Sequence, residues 1–295
     1  MKPMKSNVTV CVLALAAAAS AQTLAGVIDI HVHADPDSRP RSIDAVDVAR
    51  MAKERGMRGL VLKSHYEPTA SMAYLVRKAV PGIEVFGGID LNRTVGGINP
   101  EAVERMAQIK GGYGRVVWMP TFDAENQVRF SKENRPFVAV ARGSQLLPEV
   151  KQVIALAVKY GLTVETGHSS AAEGLLIVRE ARRQGARAVV THAMLAPVQM
   201  SIADMQAAAR EGAYIEFVYN GLVGPGKEFE TGDYVKAIRA VGAEHCILAS
   251  DLGQAGNPVH PEGLEEFFRA LRAAGVSDGE IEVMAKRNPA RALGL

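Results

Sequence analysis

A pair of histidines spaced for metal binding follows the first apolar run of the sequence. His31 and His33 stand at the end of residues 27–30, which are suited to a buried strand. Side chains two apart on a strand point to the same face, so both imidazoles would project together from the end of the strand. One divalent metal could then accept a nitrogen from each. By itself a His-x-His pattern also fits two half-buried polar residues, so its meaning depends on the rest of the chain.

Further chemically active side chains follow later apolar runs. They are Lys63 and His65, His168, His192, and Asp251. Imidazoles and a carboxylate that converge on one point are what a Zn²⁺-type site requires. His245 precedes the last apolar run and is predicted to be structural, and His260 lies beyond that run and is predicted to be a surface residue.

Short apolar runs alternate with amphipathic stretches through residues 22–295. The runs cover 27–30, 59–62, 84–89, 115–118, 162–164, 188–190, 214–217 and 246–249, and helical periodicity covers 42–55, 100–110, 150–160, 171–184, 201–210 and 234–241. Strands this apolar are typical of a parallel sheet covered on both faces. Eight such units predict an α/β fold, a single-domain (β/α)8 TIM barrel. The alternative, an open doubly wound sheet, would need a Gly-rich phosphate turn after the first strand, where this chain has histidines.

The N-terminus predicts export. Lys2 and Lys5 precede an uncharged apolar run and the small residues 19–21, which is the pattern of a secretory signal peptide over residues 1–21. Removing it leaves 32 basic and 32 acidic residues, so no polyanionic nucleic-acid partner is indicated. We expect a periplasmic or secreted protein with a small-molecule substrate and no membrane association after cleavage. A homo-oligomer remains an open option.

Cysteine content excludes two classes of protein. Cys11 leaves with the predicted leader, so only Cys246 remains. A disulfide framework and a cysteine-rich zinc site are therefore excluded.

One connection is unusually long, because residues 119–148 separate the fourth apolar run from its helix. A loop of this length is usually a lid or a disordered segment, and we favour a lid.

The order of these polar residues along the chain resembles the metal-binding pattern of the amidohydrolase superfamily, whose members are metal-dependent hydrolases with a TIM-barrel fold. The C-terminal residues 277–295 also resemble the final helices of that superfamily. The resemblance implies that His31, His33 and Asp251 bind a buried divalent metal, and that His168 and His192 bind a second, more exposed one. It also implies that Asp251 accepts a proton from the attacking water, which is chemically sound for a carboxylate beside a metal.

The sequence departs from that pattern at strand four. Binuclear members commonly bridge their metals with a carboxylated lysine or a glutamate from this strand, and residues 115–120 contain neither. Lys63, at the end of strand two, is our candidate for a carboxylated bridging ligand. Alternatively, Lys63 stays a cation that binds a substrate anion or pairs with Glu165 or Glu67. The site would then be mononuclear, on His31, His33, His168 and Asp251, and His192 would have a catalytic or stabilising role.

Several other residues are weaker candidates. His65, Tyr66, Arg93 and Asn220 are predicted to contact substrate, as is Asn92, because each follows a predicted strand. Glu165 would point into the barrel and pair with a ligand, or pack there. Trp118, the only tryptophan, would form an apolar wall of the site or pack in the core.

Three functions are consistent with these residues. The first is an exported hydrolase that cleaves an amide, lactone or ester bond with one or two divalent metals, in the first place Zn²⁺. The second is a mononuclear decarboxylase or deaminase with the same fold. The third is an exported binding protein without catalysis. Histidine and carboxylate ligands also suit Mn²⁺, Fe²⁺, Co²⁺ and Ni²⁺.

Overall fold

A computed structural model of the protein describes residues 24–295. The predicted signal peptide, residues 1–21, lies outside the described residues. The described segment begins directly before the first strand, so it contains every element that was predicted to form the barrel.

Eight parallel strands form the centre of the fold, and each pairs with the next in chain order. They are β1 (Ile28–Val32), β2 (Gly59–Leu62), β3 (Glu84–Asp90), β4 (Gly114–Trp118), β5 (Thr163–Glu165), β6 (Arg187–Val190), β7 (Tyr214–Val218) and β8 (Cys246–Ala249). β1 meets β8 through a bridge between Val32 and Leu252, and the Asp251 N–H donates to the His31 carbonyl at 3.0 Å. The prediction of a (β/α)8 barrel is therefore confirmed.

An irregularity in β1 determines which of its side chains face the barrel interior. Ile28 and Ile30 belong to the interior cluster that contains Trp118, whereas Val27 and Val32 pack in the cluster beneath the helices. The pairing of β1 with β2 shifts register between Asp29 and Val32, which is a β-bulge. Because of the bulge, the side chains of Ile30 and of the next residue, His31, can both point into the barrel interior. Strict alternation along β1 would not permit this.

The helices surround the strands and begin and end where the sequence supplies capping residues. Ser170 and Ser201 each form a capping box, with Glu173 and Asp204 respectively, and Gly161 and Gly185 end helices in the left-handed conformation. The α-helices are α1 (Ala45–Glu54), α2 (Ala70–Ala79), α3 (Pro100–Ala107), α4 (Glu125–Phe130), α5 (Pro148–Tyr160), α6 (Ala171–Gln184), α7 (Ile202–Arg210), α8 (Thr231–Val241), α9 (His260–Ala273), α10 (Asp278–Glu282) and α11 (Asn288–Leu293). Within residues 24–295, no helix is long and apolar enough to cross a bilayer.

The long connection after β4 has secondary structure of its own. It contains α4 and a two-stranded hairpin, Ala141–Arg142 with Gln145–Leu146. The Asn126 amide donates to the carbonyls of His168 and Pro197, at 3.0 and 2.9 Å. The connection is therefore attached to the loops that follow β5 and β6. Its role as a lid stays a prediction.

The C-terminal helices close the end of the barrel opposite the histidines. Ala292 and Leu293 of α11 join the interior cluster that contains Ile28. The Arg187 guanidinium donates to the Ala292 carbonyl at 2.7 Å, and the Asn288 amide donates to the carbonyls of Ala243 and Cys246 at 2.9 and 2.7 Å. These contacts make α11 the floor of the barrel.

Candidate metal centre

Three buried side chains converge at the carboxyl ends of β1 and β8. His31 Nε2 lies 3.1 Å from Asp251 Oδ1, and His33 Nε2 lies 3.2 Å from the same oxygen. One ligand atom from each of these residues lies within 4.8 Å of the others. Two imidazole nitrogens and one carboxylate oxygen are a donor set suited to Zn²⁺ and similar divalent metals.

The other ring nitrogen of each histidine is already engaged. His31 Nδ1 lies 3.2 Å from both oxygens of Glu216, and His33 Nδ1 lies 3.1 Å from the carbonyl oxygen of Lys63. Partners on Nδ1 fix the ring orientation and leave Nε2 for a metal, as is usual for metal-binding histidines. The donor atoms and the orientation of the rings therefore fit a divalent metal held by His31, His33 and Asp251.

The electrostatics of the centre also favour a cation. Burial lowers the pKa of His31, but the carboxylates of Asp251 and Glu216 outweigh it and raise that pKa to about 10. Burial raises the pKa of Asp251, but His31 and His33 outweigh it and hold the pKa well below its usual range. A proton on His31 thus supplies positive charge between two buried carboxylates. A divalent metal would supply that charge in its place.

Two residues of the site have strained backbones. His192 and Asp251 have φ values of 26° and 49°, in the left-handed region that non-glycine residues seldom adopt. Such conformations cost on the order of 1–3 kcal/mol and persist where the surroundings impose them. The loops after β6 and β8 therefore hold these side chains at the barrel mouth at a cost in backbone energy.

His168 and His192 lie side by side next to the three-residue centre. Their ring centroids are 4.9 Å apart, and the His192 ring is 6.0 Å from that of His31. His168 Nδ1 is 2.7 Å from Gln127 Oε1 of α4, and His192 Nδ1 is buried without a partner among residues 24–295. Burial lowers the pKa of His192 to about 4 and lowers that of His168 too, with His192 adding to the latter. Both imidazoles are therefore neutral at pH 7.

A glycine places His168. Gly167 has a φ of 57°, and a Cβ at this position would lie 2.1 Å from the Met119 carbonyl oxygen. Only a residue without a side chain fits there. The tight turn after β5 is thus packed directly on the chain that leaves β4, and the His168 N–H donates to the Pro120 carbonyl at 2.9 Å.

Lys63 pairs with a carboxylate that the sequence analysis did not identify. Its Nζ lies 3.6 Å from Asp90 Oδ2 at the end of β3, and both side chains are fully buried. The ammonium also stands 5.3 Å from the centre of the Trp118 ring. Burial raises the pKa of Asp90 to about 7, although Lys63 opposes this. The expected partners Glu165 and Glu67 were therefore wrong for the ion pair, because β3 lies beside β2 in the barrel and brings Asp90 nearer.

His65 is oriented by a hydrogen-bonded chain. Its Nδ1 lies 2.8 Å from Thr121 Oγ1, and that hydroxyl donates to Asp90 Oδ2 at 3.1 Å. Because the one hydroxyl hydrogen is used by Asp90, His65 Nδ1 must be the donor to Thr121. Burial and the Lys63 charge lower the pKa of His65, so the ring is neutral. Its Nε2 is then a free acceptor for a substrate N–H or O–H.

A cavity of about 240 Å³ connects these groups at the barrel mouth. Asn220 lines it and donates to Asp251 Oδ2 at 3.3 Å. Its lining includes Lys63 and every predicted metal-ligating histidine, together with Arg39, Arg41, His65, Phe122, Leu195, Glu228 and Gln254. Of the predicted substrate-binding residues, His65 and Asn220 line this cavity.

Tyr66 and Arg93 are placed elsewhere. Tyr66 is absent from the cavity lining, although its ring lies 6.2 Å from that of His65. Arg93 lines a separate surface cleft of about 770 Å³ with Phe137 and Arg142. The structure therefore does not bring these two residues together with the metal centre.

Two further expectations need correction. His260 was predicted at the surface but is fully buried at the start of α9, because that end of the helix lies under the loop after β8. Asn92 was considered a substrate contact, but all of its polar groups are engaged: its amide donates to the His65 carbonyl and to Thr121, and its oxygen accepts the N–H groups of Thr121 and Asp123. Asn92 therefore connects the loops after β2 and β4 to its own loop after β3 by hydrogen bonds.

Glu165 and Trp118 are both fully buried inside the barrel. Glu165 accepts a hydrogen bond from the Thr191 hydroxyl at 3.1 Å and touches no imidazole. Burial and the nearby charge of Glu216 raise the pKa of Glu165 above its usual range. The Trp118 ring centroid is 6.5 Å from that of His31, so the indole packs in the core directly beneath the centre.

Six residues of the site were not predicted from the sequence, namely Glu216, Asp90, Arg39, Arg41, Thr121 and Phe122. A signal was available for the two acids, since Glu216 lies within an apolar strand and Asp90 ends one, and a charge is rarely buried without a partner. No periodic pattern marks the other four, which lie in loops after β1 and β4.

Comparison with solved structures gives the same fold for proteins of several names. An amidohydrolase from Pseudomonas aeruginosa has a TM-score of 0.63 at 14% identity, over 93% of this chain and 97% of that chain. An organophosphorus hydrolase from Deinococcus radiodurans has 0.62 at 16%, over 93% and 94%. A protein assigned as a 2-pyrone-4,6-dicarboxylic acid hydrolase from Pseudomonas putida has 0.59 at 19%, over 91% and 97%. These structures confirm the (β/α)8 barrel fold that the resemblance implied.

Comparison by sequence gives a more specific assignment. No curated protein matches the chain. One family model does match, over residues 26–216, and its description is a family of unknown function, DUF6282. The matched region runs from β1 into β7 and contains all of the predicted metal ligands except Asp251. Because the match spans well over half of the chain, the protein belongs to the DUF6282 family.

Proposed function

We propose that this protein is a metal-dependent hydrolase that uses water to cleave an amide, lactone or ester bond. The observation that carries the proposal is the convergence of His31 Nε2 and His33 Nε2 on Asp251 Oδ1 at the mouth of the barrel. His31, His33 and Asp251 would hold the metal, for which Zn²⁺ is our first choice. When bound, the metal would polarise the scissile bond and lower the pKa of water.

Asp251 is suited to accept the proton of the attacking water. Its pKa is held well below the usual range, so it is a carboxylate at neutral pH. Asn220 donates to Oδ2 and fixes the plane of the carboxylate beside the cavity. The acquired proton could then pass to the leaving group, which would return Asp251 to its starting state.

His192 is suited to stabilise negative charge on the substrate. It is neutral, lines the cavity, and its backbone N–H donates to Glu216 at 2.8 Å. A neutral imidazole has one N–H that can donate to a developing oxyanion, and a fixed donor of this kind costs no reorganisation during the reaction. His168, oriented by Gln127, could assist from the adjacent position or hold a second metal with His192.

The structural relatives support this class of reaction. Their names describe an amidohydrolase, an organophosphorus hydrolase and a pyrone dicarboxylic acid hydrolase. At identities of 14–19% these names do not transfer to the present chain. They are consistent with hydrolysis at a barrel mouth, which the polar residues of this chain suggest independently.

The first test is Asp251→Asn on metal-loaded protein with a panel of lactones, esters and amides. We expect the variant to lose between about 10²- and 10⁴-fold in turnover of any substrate that the wild type cleaves, the range typical of a general acid–base. Asp204→Asn in the capping box of α7 is the matched control and should keep wild-type turnover. Full activity of Asp251→Asn would refute the proposal.

A mononuclear decarboxylase or deaminase is the second candidate. Among residues 24–295, His31, His33 and Asp251 are the only group of three His, Cys, Asp or Glu residues whose ligand atoms all lie within 4.8 Å of one another, and the ammonium of Lys63 is paired with Asp90. Metal content per chain distinguishes the two, measured on wild type and Lys63→Ala purified without chelator. Two ions that fall to one or none in the variant support a binuclear hydrolase bridged by a carboxylated Lys63. One ion in both proteins supports the mononuclear candidate.

Export remains a proposal that rests on the sequence of residues 1–21. We propose that the mature chain begins at Gln22 in the periplasm or outside the cell. N-terminal sequencing of the protein recovered from the exported fraction tests this. Recovery of the intact chain from the cytoplasm alone would contradict it.

A further inference from the structure

Two arginines line the mouth of the cavity on the loop between β1 and α1. Arg39 and Arg41 both border the cavity that contains His33 and Asp251. This loop, residues 33–44, is held by the loop that follows β8. Arg41 forms an isolated bridge with Gln254 in the loop after β8, and the Ser42 N–H donates to the Gly253 carbonyl at 2.9 Å. The arginines are therefore presented from a fixed part of the rim.

Arg41 is buried and oriented by an acid. Its Nε and Nη2 donate to Asp37 Oδ2 at 2.9 and 2.7 Å, and the Arg41 side chain is only 5% exposed. Nη1 has no acceptor among the described residues. A guanidinium fixed in this way keeps the N–H groups of Nη1, at the edge away from Asp37, for a ligand.

The side chain of Arg39 extends across the cavity mouth and contacts the loop after β4. Its guanidinium stands 4.6 Å from the centre of the Phe122 ring, and Phe122 in turn lies 4.1 Å from the ring of His65. No carboxylate within residues 24–295 forms an ion pair with Arg39. The stacking contact positions the cation without neutralising it.

Arg39 differs from the other two cations of the cavity, because no acid pairs with it among residues 24–295. Asp37 pairs with Arg41, and Asp90 lies 3.6 Å from Lys63 deeper in the cavity, whereas Arg39 has no carboxylate partner in the described part of the chain. Glu228 also borders the cavity, but it is exposed on the loop after β7, where it accepts the Ala196 N–H at 3.0 Å. One uncompensated guanidinium beside one oriented guanidinium matches a monoanion better than a dianion.

We propose that Arg39 and Arg41 bind a carboxylate group of the substrate, so that the substrate is a small carboxylic acid with its scissile bond at the metal centre. The assignment of this ligand as a substrate rests on the proposed hydrolase function. Arginine forks match the planar geometry of a carboxylate and bind it through charge-assisted hydrogen bonds. A cavity of about 240 Å³ is below the usual range for drug-sized ligands, so the acid must be compact.

The test uses benzoate as the probe carboxylate, benzamide as its neutral counterpart and methyl phosphate as a phosphorylated alternative. Binding is measured by calorimetry on the folded protein, both stripped of metal and loaded with Zn²⁺, so that coordination of benzoate to a metal is recognised. Arg39→Gln and Arg41→Gln are the test variants. Arg50→Gln, on an exposed arginine of α1 that pairs with Asp47, is the matched control.

We expect benzoate to bind the stripped protein more tightly than benzamide and methyl phosphate do. Each test variant should weaken benzoate binding by about 10-fold or more, the effect of losing a charge-assisted hydrogen bond, whereas Arg50→Gln should change it less than about 2-fold. Because Arg41 is buried, its variant could fail to fold. Arg41→Lys, which keeps the charge and loses the fork, and the exposed Arg39→Gln keep the test decisive.

Three results would overturn the inference. They are benzoate binding that both arginine variants leave unchanged, benzoate binding that appears only with Zn²⁺ and ignores the arginines, and tighter binding of methyl phosphate than of benzoate. These results are distinct from failure of the hydrolase proposal. Arginine-dependent benzoate binding without any hydrolysis would refute the hydrolase alone. Hydrolysis that depends on Asp251 but treats acids and their methyl esters alike would refute the carboxylate site alone.

Discussion

Glu216 places both of its carboxylate oxygens 3.2 Å from Nδ1 of His31. The same carboxylate accepts the backbone N–H of His192 at 2.8 Å. One fully buried acid on β7 thus aligns a predicted metal ligand on β1 with the strained turn after β6. Burial raises the pKa of Glu216, but His31 outweighs it and lowers the pKa, so Glu216 is ionised in this arrangement.

Glu216→Gln should weaken metal binding by about 10- to 100-fold, the usual effect of losing a partner behind a metal-binding histidine. The glutamine keeps the size of the side chain but removes the charge that orients His31. Competition with a chromogenic chelator measures the change in Zn²⁺ affinity.

Glu165→Gln is the matched control for that experiment. Glu165 is equally buried on β5 but hydrogen-bonds to Thr191 and to no imidazole. We expect its variant to retain near wild-type affinity. Equal losses in the two variants would mean that general electrostatics, and not the contact with His31, support the metal.

Lys63 and Asp90 should behave as a coupled pair in unfolding experiments on metal-free protein. Lys63→Met leaves the Asp90 carboxylate buried without its cation, and Asp90→Asn strands the ammonium. Each single change should cost about 3–5 kcal/mol in the free energy of unfolding, and the double variant should cost less than the sum of the two.

Urea denaturation measures the three free energies. If Lys63 is instead an anionic carboxylated ligand, removing the neighbouring acid relieves repulsion. Asp90→Asn would then stabilise the protein, contrary to the ion-pair expectation.

His260 should make the protein less stable in acid. Burial lowers its pKa to about 4, whereas an exposed histidine has an ordinary value near 6.5. The unfolded chain therefore binds the proton more readily, and stability that is complete above pH 6.5 is lost as the pH falls towards 4. The loss from this one group should be roughly 3 kcal/mol between pH 7 and pH 4.

His260→Leu removes that contribution, so its stability should fall less steeply over the same interval. Urea midpoints at pH 7, 5.5 and 4 give the comparison with the wild type. Parallel curves for the two proteins would show that His260 is accessible to protons in the folded state.

Asn288 should be required for the floor of the barrel. Asn288→Ala leaves the buried carbonyls of Ala243 and Cys246 without their donor, at a cost of about 1–3 kcal/mol for each unsatisfied group. Asn288→Asp, which has the same shape but cannot donate, should be at least as harmful. The exposed Asn134→Ala should lie within about 0.5 kcal/mol of the wild type, and thermal unfolding ranks the three.

Much of the fold was predictable because it depends on periodicity. All eight strands were anticipated, and β2 and β8 have the expected limits, since an uninterrupted apolar run has few alternatives inside a parallel barrel. Helix boundaries were less accurate. The first helix begins at Ala45, and not at residue 42, because the Asp44 side chain caps it by accepting the N–H groups of Val46 and Asp47.

The candidate site was predictable where its residues follow strands in regular positions. His31, His33 and Asp251 come together as expected. Arg39 and Arg41 could not be anticipated, because their positions depend on the path of a loop that is fixed by tertiary contacts, among them those with the loop after β8. The partner of Lys63 was missed for another reason. Asp90 directly follows the predicted run 84–89 and was not considered, and the pairing of β3 with β2, which brings it near Lys63, is not visible in composition.

The closed floor determines how molecules are exchanged. Because α11 seals the end of the barrel below Ile28 and Trp118, a product formed at the histidines must leave through the opening by which the substrate entered. The product would then have to leave before the next substrate molecule could enter. A product that keeps the carboxylate would compete with incoming substrate for the same two arginines. Hydrolysis should therefore slow as product accumulates, and the product should act as a competitive inhibitor with respect to substrate.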